Sequence, residues 1–544
     1  MKKALGFFYF WAIYWNLGVN AQLLLQPANL STLGGLLGDT GFQLAIDRHD
    51  NQWLTGFFTG TSQFGRNALQ SRNNSLDAFV AKYDVAGNCL WVKQLGGNEF
   101  DVGKAVTCLP NGNCCISGTF RGKAWIGSDT LYSQGDQDVF VILLSAEGQV
   151  LWLKSLAGPL RDDIWAIASD TDGNIVLSGT FRERLNLGTF TLRGDPSHTN
   201  DIFLIKLDKE GNFLWARTLA SGGTEVGYGL CLDPRGYIYL AGSFNQTIYL
   251  GEINTTLRNR SGDDVFIARY TPAGKLCWVK SAGSRGADAM HALAFHSNGL
   301  VAGTGFFLDT IFFDTYRLIS RGARDIFITA FDTATGKVLW STAGGSLNND
   351  VPYGITAARN GNFYLTGQIE GIPFWGKYST PSQAQINWSD IFIAAVDPFW
   401  GKPIGITAYG GKGNERGNCI SASNYTDNLW VTGYFNDSLR IGGWQKRSVG
   451  STDGFLACFQ APRLQVYLPT DTLRVVCGDT IAIWGASVYP QLSWFWKPAR
   501  GLSNPNAQRT LGCFVHSDMY ILTGFDRNDS ATASMYIKVD PITP

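Results

Sequence analysis

Short runs in which apolar and polar side chains alternate recur along most of the chain, among them Ile238-Tyr239-Leu240-Ala241-Gly242 and Phe266-Ile267-Ala268-Arg269-Tyr270. A period of two is the mark of a strand. Between the runs stand turn signals such as Asp172-Gly173-Asn174, Glu210-Gly211-Asn212, Ala273-Gly274 and Asn360-Gly361-Asn362. These residues accept the positive φ that tight hairpins demand. The pattern predicts strands joined by hairpins and essentially no helix.

The pattern also repeats. A D-x-F step recurs at Asp77, Asp138, Asp201, Asp264, Asp325, Asp390 and Asp453, at intervals of 61, 63, 63, 61, 65 and 63 residues. About twenty residues ahead of each stands a glycine in an apolar run: Gly56, Gly118, Gly179, Gly242, Gly305, Gly367 and Gly433. Fourteen or fifteen residues after the aspartate comes a tryptophan in five units: Trp91, Trp152, Trp215, Trp278 and Trp340. Self-similarity at this period means an array of about four strands per unit, either a ring of blades or a solenoid. The seventh unit lacks its last strand, while Leu30-Ser31-Thr32-Leu33-Gly34-Gly35 matches Val92-Lys93-Gln94-Leu95-Gly96-Gly97. The expected fold is therefore all-β: a seven-bladed β-propeller over residues 22–462, closed by an N-terminal strand that removes an open edge. A small β-sandwich of short strands over residues 463–544 is expected to follow.

The unit, seen in Ala166-Ile167-Ala168-Ser169-Asp170, Gly173-Asn174, Gly179 and Phe181, then Asp201, Phe203, Gly211 and Trp215, resembles the secreted bacterial β-propeller repeat called SBBP. That resemblance implies a seven-bladed propeller on an exported or surface protein, and it brings no catalytic residues with it. The segment Cys477-Gly478-Asp479-Thr480, with Trp496-Lys497-Pro498 and Gly501-Leu502-Ser503-Asn504-Pro505, more loosely resembles Ig-like or PKD-like modules of bacterial surface proteins, whose role is spacing or adhesion.

Lys2 and Lys3, the apolar stretch from Ala4 to Leu17, and Val19-Asn20-Ala21 read as a signal peptide over residues 1–21, cleaved after Ala21. The protein is then expected to be secreted or on the outer cell surface. No later run reaches the ~18 apolar residues of a spanning helix, so an integral membrane protein is not expected after cleavage. The 44 basic and 44 acidic residues cancel, which argues against a nucleic-acid binder. Export permits disulfides among the ten cysteines, and Cys477 with Cys513 is the favoured bridge. The other cysteines read as buried small hydrophobes.

A residue present in every blade is placed there by the fold, whereas a single site must break the symmetry. The seven aspartates are accordingly read as turn acceptors. Unit six breaks the pattern most: Gln368-Ile369-Glu370 replaces the x-Phe step, and Glu370, Trp375, Tyr378 and Trp388 are its candidate binding residues for a sugar or peptide. There is no H-E-x-x-H and no phosphate loop, and no metal or cofactor is expected. The reading is a non-enzymatic binding or scaffold protein for an extracellular protein or glycan, through propeller loops. A carbohydrate-active enzyme with its site in the propeller mouth or in unit six, with Glu370 and Asp390 as the carboxylate pair to measure, is the alternative. A quinoprotein dehydrogenase, suggested by Ala330–Trp340 and the vicinal Cys114-Cys115, is a remote one.

Overall fold

The computed structural model describes residues 25–540, except 189, 198, 251, 252, 254, 381–387, 463–467, 479, 488–491 and 526–529. The expected signal peptide, His198 and part of the unit-six loop lie outside the described residues.

The chain forms a β-propeller. Seven four-stranded antiparallel sheets follow one another. In the second, Val102–Cys108, Cys114–Phe120, Asp138–Leu144 and Val150–Leu156 pair in sequence order. The innermost strands are Thr40–Ile46, Val102–Cys108, Asp163–Ser169, Glu225–Leu232, Ala289–His296, Val351–Ala357 and Glu415–Ala422. Each touches the next, and the last touches the first. In the seventh sheet the outermost strand is Gln26–Gly35, paired with Asp453–Gln460 from Gln26↔Gln460 to Leu33↔Gly454.

The middle strands are buried on both faces, as in Ile175–Phe181 and Asp138–Leu144. Their near-continuous apolar runs are what a strand between two neighbouring blades requires. Val139, Val141 and Leu143 of the second blade pack with Ile175, Leu177, Phe203 and Ile205 of the third. Trp152, Trp215, Trp278 and Trp340 sit on outer strands, and each donates its indole N–H across the seam to a turn carbonyl of the next blade: Lys209, Pro272, Thr333 and Pro398, at 3.0–3.1 Å. The tryptophan series thus fastens consecutive blades.

The repeat holds more than four strands. Between its second and third strands each blade inserts a two-stranded hairpin, such as Lys123–Ile126 with Asp129–Tyr132. The hairpin pairs with the outermost strand of the preceding blade, through Ala124↔Gly97 and Trp125↔Gly96 in one case and Leu33↔Phe64 in another. Isolated bridges do the same at Ala157↔Asn186, Gly345↔Phe374 and Gly410↔Arg440.

Beyond the propeller, Thr472–Val476, Ser530–Asp540, Asp518–Phe525 and Ser493–Lys497 form one sheet, and Thr480–Trp484 with Arg509–Cys513 a second. Trp496, Phe514, Tyr520, Leu522, Met535 and Ile537 form their common core. Lys402 ties this unit to blade six, through Asp471 at 3.1 Å and the Leu468 carbonyl at 3.0 Å.

The disulfide expectation is corrected. Cys108 and Cys114 are bonded across the turn of one hairpin, whereas Cys477 and Cys513 are free thiols. The latter segments are neighbours, but each thiol meets a backbone carbonyl instead: Cys513 that of Gly478 at 3.3 Å, Cys477 that of Val515 at 4.0 Å. Among the described residues no helix is long and apolar enough to cross a membrane.

Candidate functional site

Every innermost strand slips its register once against the second strand, near its start. The slips fall between Gly41 and Gln43, Gly103 and Ala105, Ile164 and Ala166, Val226 and Gly229, Met290 and Ala292, Pro352 and Gly354, and Gly417 and Cys419. A bulge of this kind leaves one residue unpaired and re-aims its side chain. The unpaired residues are Phe42, Lys104, Trp165, Tyr228 (with Gly227), His291, Tyr353 and Asn418. All seven line one cavity of about 500 Å³ in the central channel. They lie near the starts of first strands, beside the ends of second strands, so the cavity opens on the face that bears the hairpins.

The bulges also explain the repeat glycine. A Cβ on Gly118 would collide with the Val102 carbonyl and the Phe140 ring, and one on Gly179 with the Asp163 carbonyl and the Phe203 ring. The bulged strand pushes a carbonyl against the second strand, where only glycine leaves room. The phenylalanine of D-x-F stands directly opposite, as in Gly118↔Phe140 and Gly367↔Phe392. Glycine and phenylalanine are therefore the fixed frame, and the bulged residue fourteen or fifteen positions ahead of the glycine is the variable one.

Five of the seven variable residues are aromatic, and four of those form a continuous arc. Trp165 meets Tyr228 edge-on at 5.1 Å, Tyr228 meets His291 at 4.9 Å, and His291 stacks on Tyr353 at 5.4 Å. All four are half-buried. A cation closes each end: Lys104 lies 4.9 Å from the Trp165 ring centre, and Arg416 lies 4.0 Å from that of Tyr353. Lys104 pairs with Asp163 at 2.6 Å. Burial pushes the His291 imidazole down to about 4, so it is neutral at physiological pH. Among the described residues no aspartate or glutamate lines the cavity.

The seven repeat aspartates stand elsewhere, at the seams. Asp77, Asp138, Asp201, Asp264, Asp325 and Asp453 each accept a backbone N–H from the loop before them, from Arg72, Gln134, Asp195, Arg260, Arg321 and Val449 in turn. Asp390 is equally buried. A second carboxyl faces each one from the start of the next innermost strand: Asp101, Asp162, Glu225, Asp288, Asp350, Glu415 and, across the closing seam, Asp39.

The unit-six candidates do not assemble into a site on the channel. Glu370 follows the second strand, where its N–H donates to Asp350 and its carboxylate accepts from the Asn349 N–H. Trp375 faces Tyr378 across the hairpin, but it is only 1% exposed and packs in the core beside Gly344. Trp375 is thus corrected from ligand contact to core residue, because the hairpin lays it against the preceding blade. Trp375→Ala is expected to cost about 3 kcal/mol of stability and to leave ligand binding unchanged; paired thermal melts and titrations check this. Tyr378 is half-buried and Trp388 is 39% exposed. The vicinal cysteines are likewise divided, Cys114 bonded to Cys108 and Cys115 buried and free. Asp170 accepts the Asp172 and Asn174 N–H groups in a hairpin turn. His296 bonds to the Gly361 carbonyl at 2.8 Å, away from His291.

No protein-family model matches the chain. It is similar to the uncharacterized WD repeat-containing protein L264 of Acanthamoeba polyphaga mimivirus, 24% identical over 355 residues, which are 52% of this chain and 25% of that protein. It is also similar to the regulatory protein FlaEY of Caulobacter vibrioides, 25% identical over 358 residues, 63% of this chain and 36% of that protein. The chain thus spans about a quarter and about a third of the curated relatives it matches. Similar solved structures include Chaetomium thermophilum Sqt1, with TM-score 0.40, 11% identity and coverage of 80% of this chain and 98% of that one. The Neurospora crassa Pan2 WD40 domain is another, with TM-score 0.39, 9% identity and coverage of 81% and 98%.

Proposed function

We propose that the protein is an exported, non-enzymatic binding module of the SBBP kind, with an Ig-like or PKD-like tail, that receives the end of an extracellular glycan in the mouth of its channel. The observation that carries this reading is the ring of seven bulged residues. The fold frame is the same in every blade, while these positions differ from blade to blade and turn half-buried aromatic rings toward an open cavity. Exposed ring faces set on a rigid scaffold suit the apolar C–H faces of sugar rings. Hydrolysis by the usual glycosidase route needs two carboxyl groups flanking the bond. The lining is aromatic, basic, aliphatic and neutral-polar, with no such pair among the described residues, which favours binding over cleavage.

The test is a glycan array followed by tryptophan-fluorescence titration of the mature chain. Trp165→Ala and Tyr228→Ala are each expected to weaken the binding by about tenfold or more, and Trp388→Ala to leave it unchanged. Loss with Trp388→Ala alone would move the site to the unit-six loop.

A further inference from the structure

Resting on the glycan reading, the charge distribution of the same cavity indicates which sugars it takes. Of the two cations on its wall, Lys104 is neutralised by Asp163. Arg416 makes no ion pair among the described residues. Its guanidinium carbon lies 4.0 Å from the Tyr353 ring centre and 5.6 Å from that of Tyr434, and its Nε donates to the Asn418 side chain. A planar donor fork fixed in this way binds a carboxylate with little further loss of freedom.

The neighbouring groups leave that charge in place. Burial pushes the carboxyl of the adjacent Glu415 up to about 9, so it is uncharged at neutral pH. His291 lies next along the wall. Its Nδ1 bonds to the Pro352 carbonyl at 3.0 Å, an acceptor, so the proton sits on Nδ1. Nε2 then carries a lone pair that accepts from a hydroxyl. One strip of wall therefore offers a fixed cation and a neutral acceptor, Arg416 and His291, both packed on the Tyr353 ring.

We propose that the channel selects an acidic sugar, a ring bearing a carboxylate, with Arg416 receiving the carboxylate, His291 Nε2 accepting from a hydroxyl and Tyr353 holding both groups in place. A sugar acid satisfies both groups, whereas a neutral sugar leaves the guanidinium without an anion.

Isothermal titration of the mature chain at neutral pH, with glucuronic acid and N-acetylneuraminic acid against glucose and N-acetylglucosamine, tests this. The acids are expected to bind at least about tenfold more tightly than the neutral sugars. Arg416→Gln is expected to weaken the acids by about 10- to 100-fold and to change the neutral sugars by less than about twofold. Arg416→Lys, which keeps the charge without the fork, is expected to fall between. A thermal melt of each variant confirms folding. Equal affinity for acids and neutral sugars, or acid binding unchanged in Arg416→Gln, overturns the inference and leaves the glycan reading standing. No binding by any sugar of either class removes both.

Discussion

Thermal stability is expected to fall as the pH rises from about 5.5 to 9. The cause is the set of carboxyl groups at the blade seams. Burial, reinforced in several seams by the facing carboxylate, raises Asp39 and Asp288 to about 6, Glu225 and Asp350 to about 7, Asp101 to about 8, and Asp162 and Glu415 to about 9. In the unfolded chain these groups titrate near 4. Between the two values the folded state holds more protons than the unfolded one, so stability declines with pH. The contribution is complete below about pH 4 and is lost as pH climbs through 6 to 9. One carboxyl moved from about 4 to about 6 is worth roughly 2.7 kcal/mol. Facing carboxyls titrate jointly, and a drop in Tm of about 10 °C is expected. An opposing arm comes from turn aspartates such as Asp170 and Asp47, whose hydrogen bonds hold their carboxyls below the usual range; their contribution is lost on acidification. The optimum should therefore lie near pH 4 to 5. Asp162→Asn, which supplies an N–H where the acid needs its proton, should raise Tm at pH 9 far more than at pH 5.5, and change it little at pH 4. Melts across this range that stay flat or rise would show that the seams hold no such protons.

The propeller was legible in the sequence because its frame repeats. Glycine and D-x-F are required in every blade, by the bulge on one side and the phenylalanine on the other, so they recur in phase. The channel site was not legible for the converse reason. Phe42, Lys104, Trp165, Tyr228, His291, Tyr353 and Asn418 have no one residue type in common, and only their place fourteen or fifteen residues ahead of the repeat glycine marks them. A lone glycine within a strand run signals a bulge opposite, and counting back from it would have reached all seven. Unit six stands out in the sequence because its tryptophans break the pattern. Trp375 breaks it to fill the space beside Gly344, which is packing and not recognition. The hairpins escaped notice because strands of two to four residues are too short to show a period.

Removing residues 26–35 is expected to open the ring. That strand is the outer edge of the seventh sheet, and its far end also pairs with the Thr61–Phe64 hairpin strand of the first blade, through Leu33↔Phe64 and Gly35↔Ser62. It buries Leu30 among Phe455, Ala457 and Phe459, and Leu33 among Phe64, Leu54 and Leu456. Its loss strips two core side chains, worth about 2–5 kcal/mol each, and bares the edge of Asp453–Gln460. An unpaired apolar edge recruits other chains. The shortened chain should therefore elute as oligomers and lose its single cooperative melt. Leu33→Ala alone should lower stability by about 3 kcal/mol without changing the oligomeric state. A synthetic peptide of residues 26–35, added in excess, should pair with the bared strand and restore the elution of the intact chain, since a strand supplied in trans satisfies the same ladder. A truncated chain that stays monomeric and melts as the intact protein does would show that the seam between the seventh and first blades is held by side-chain packing alone.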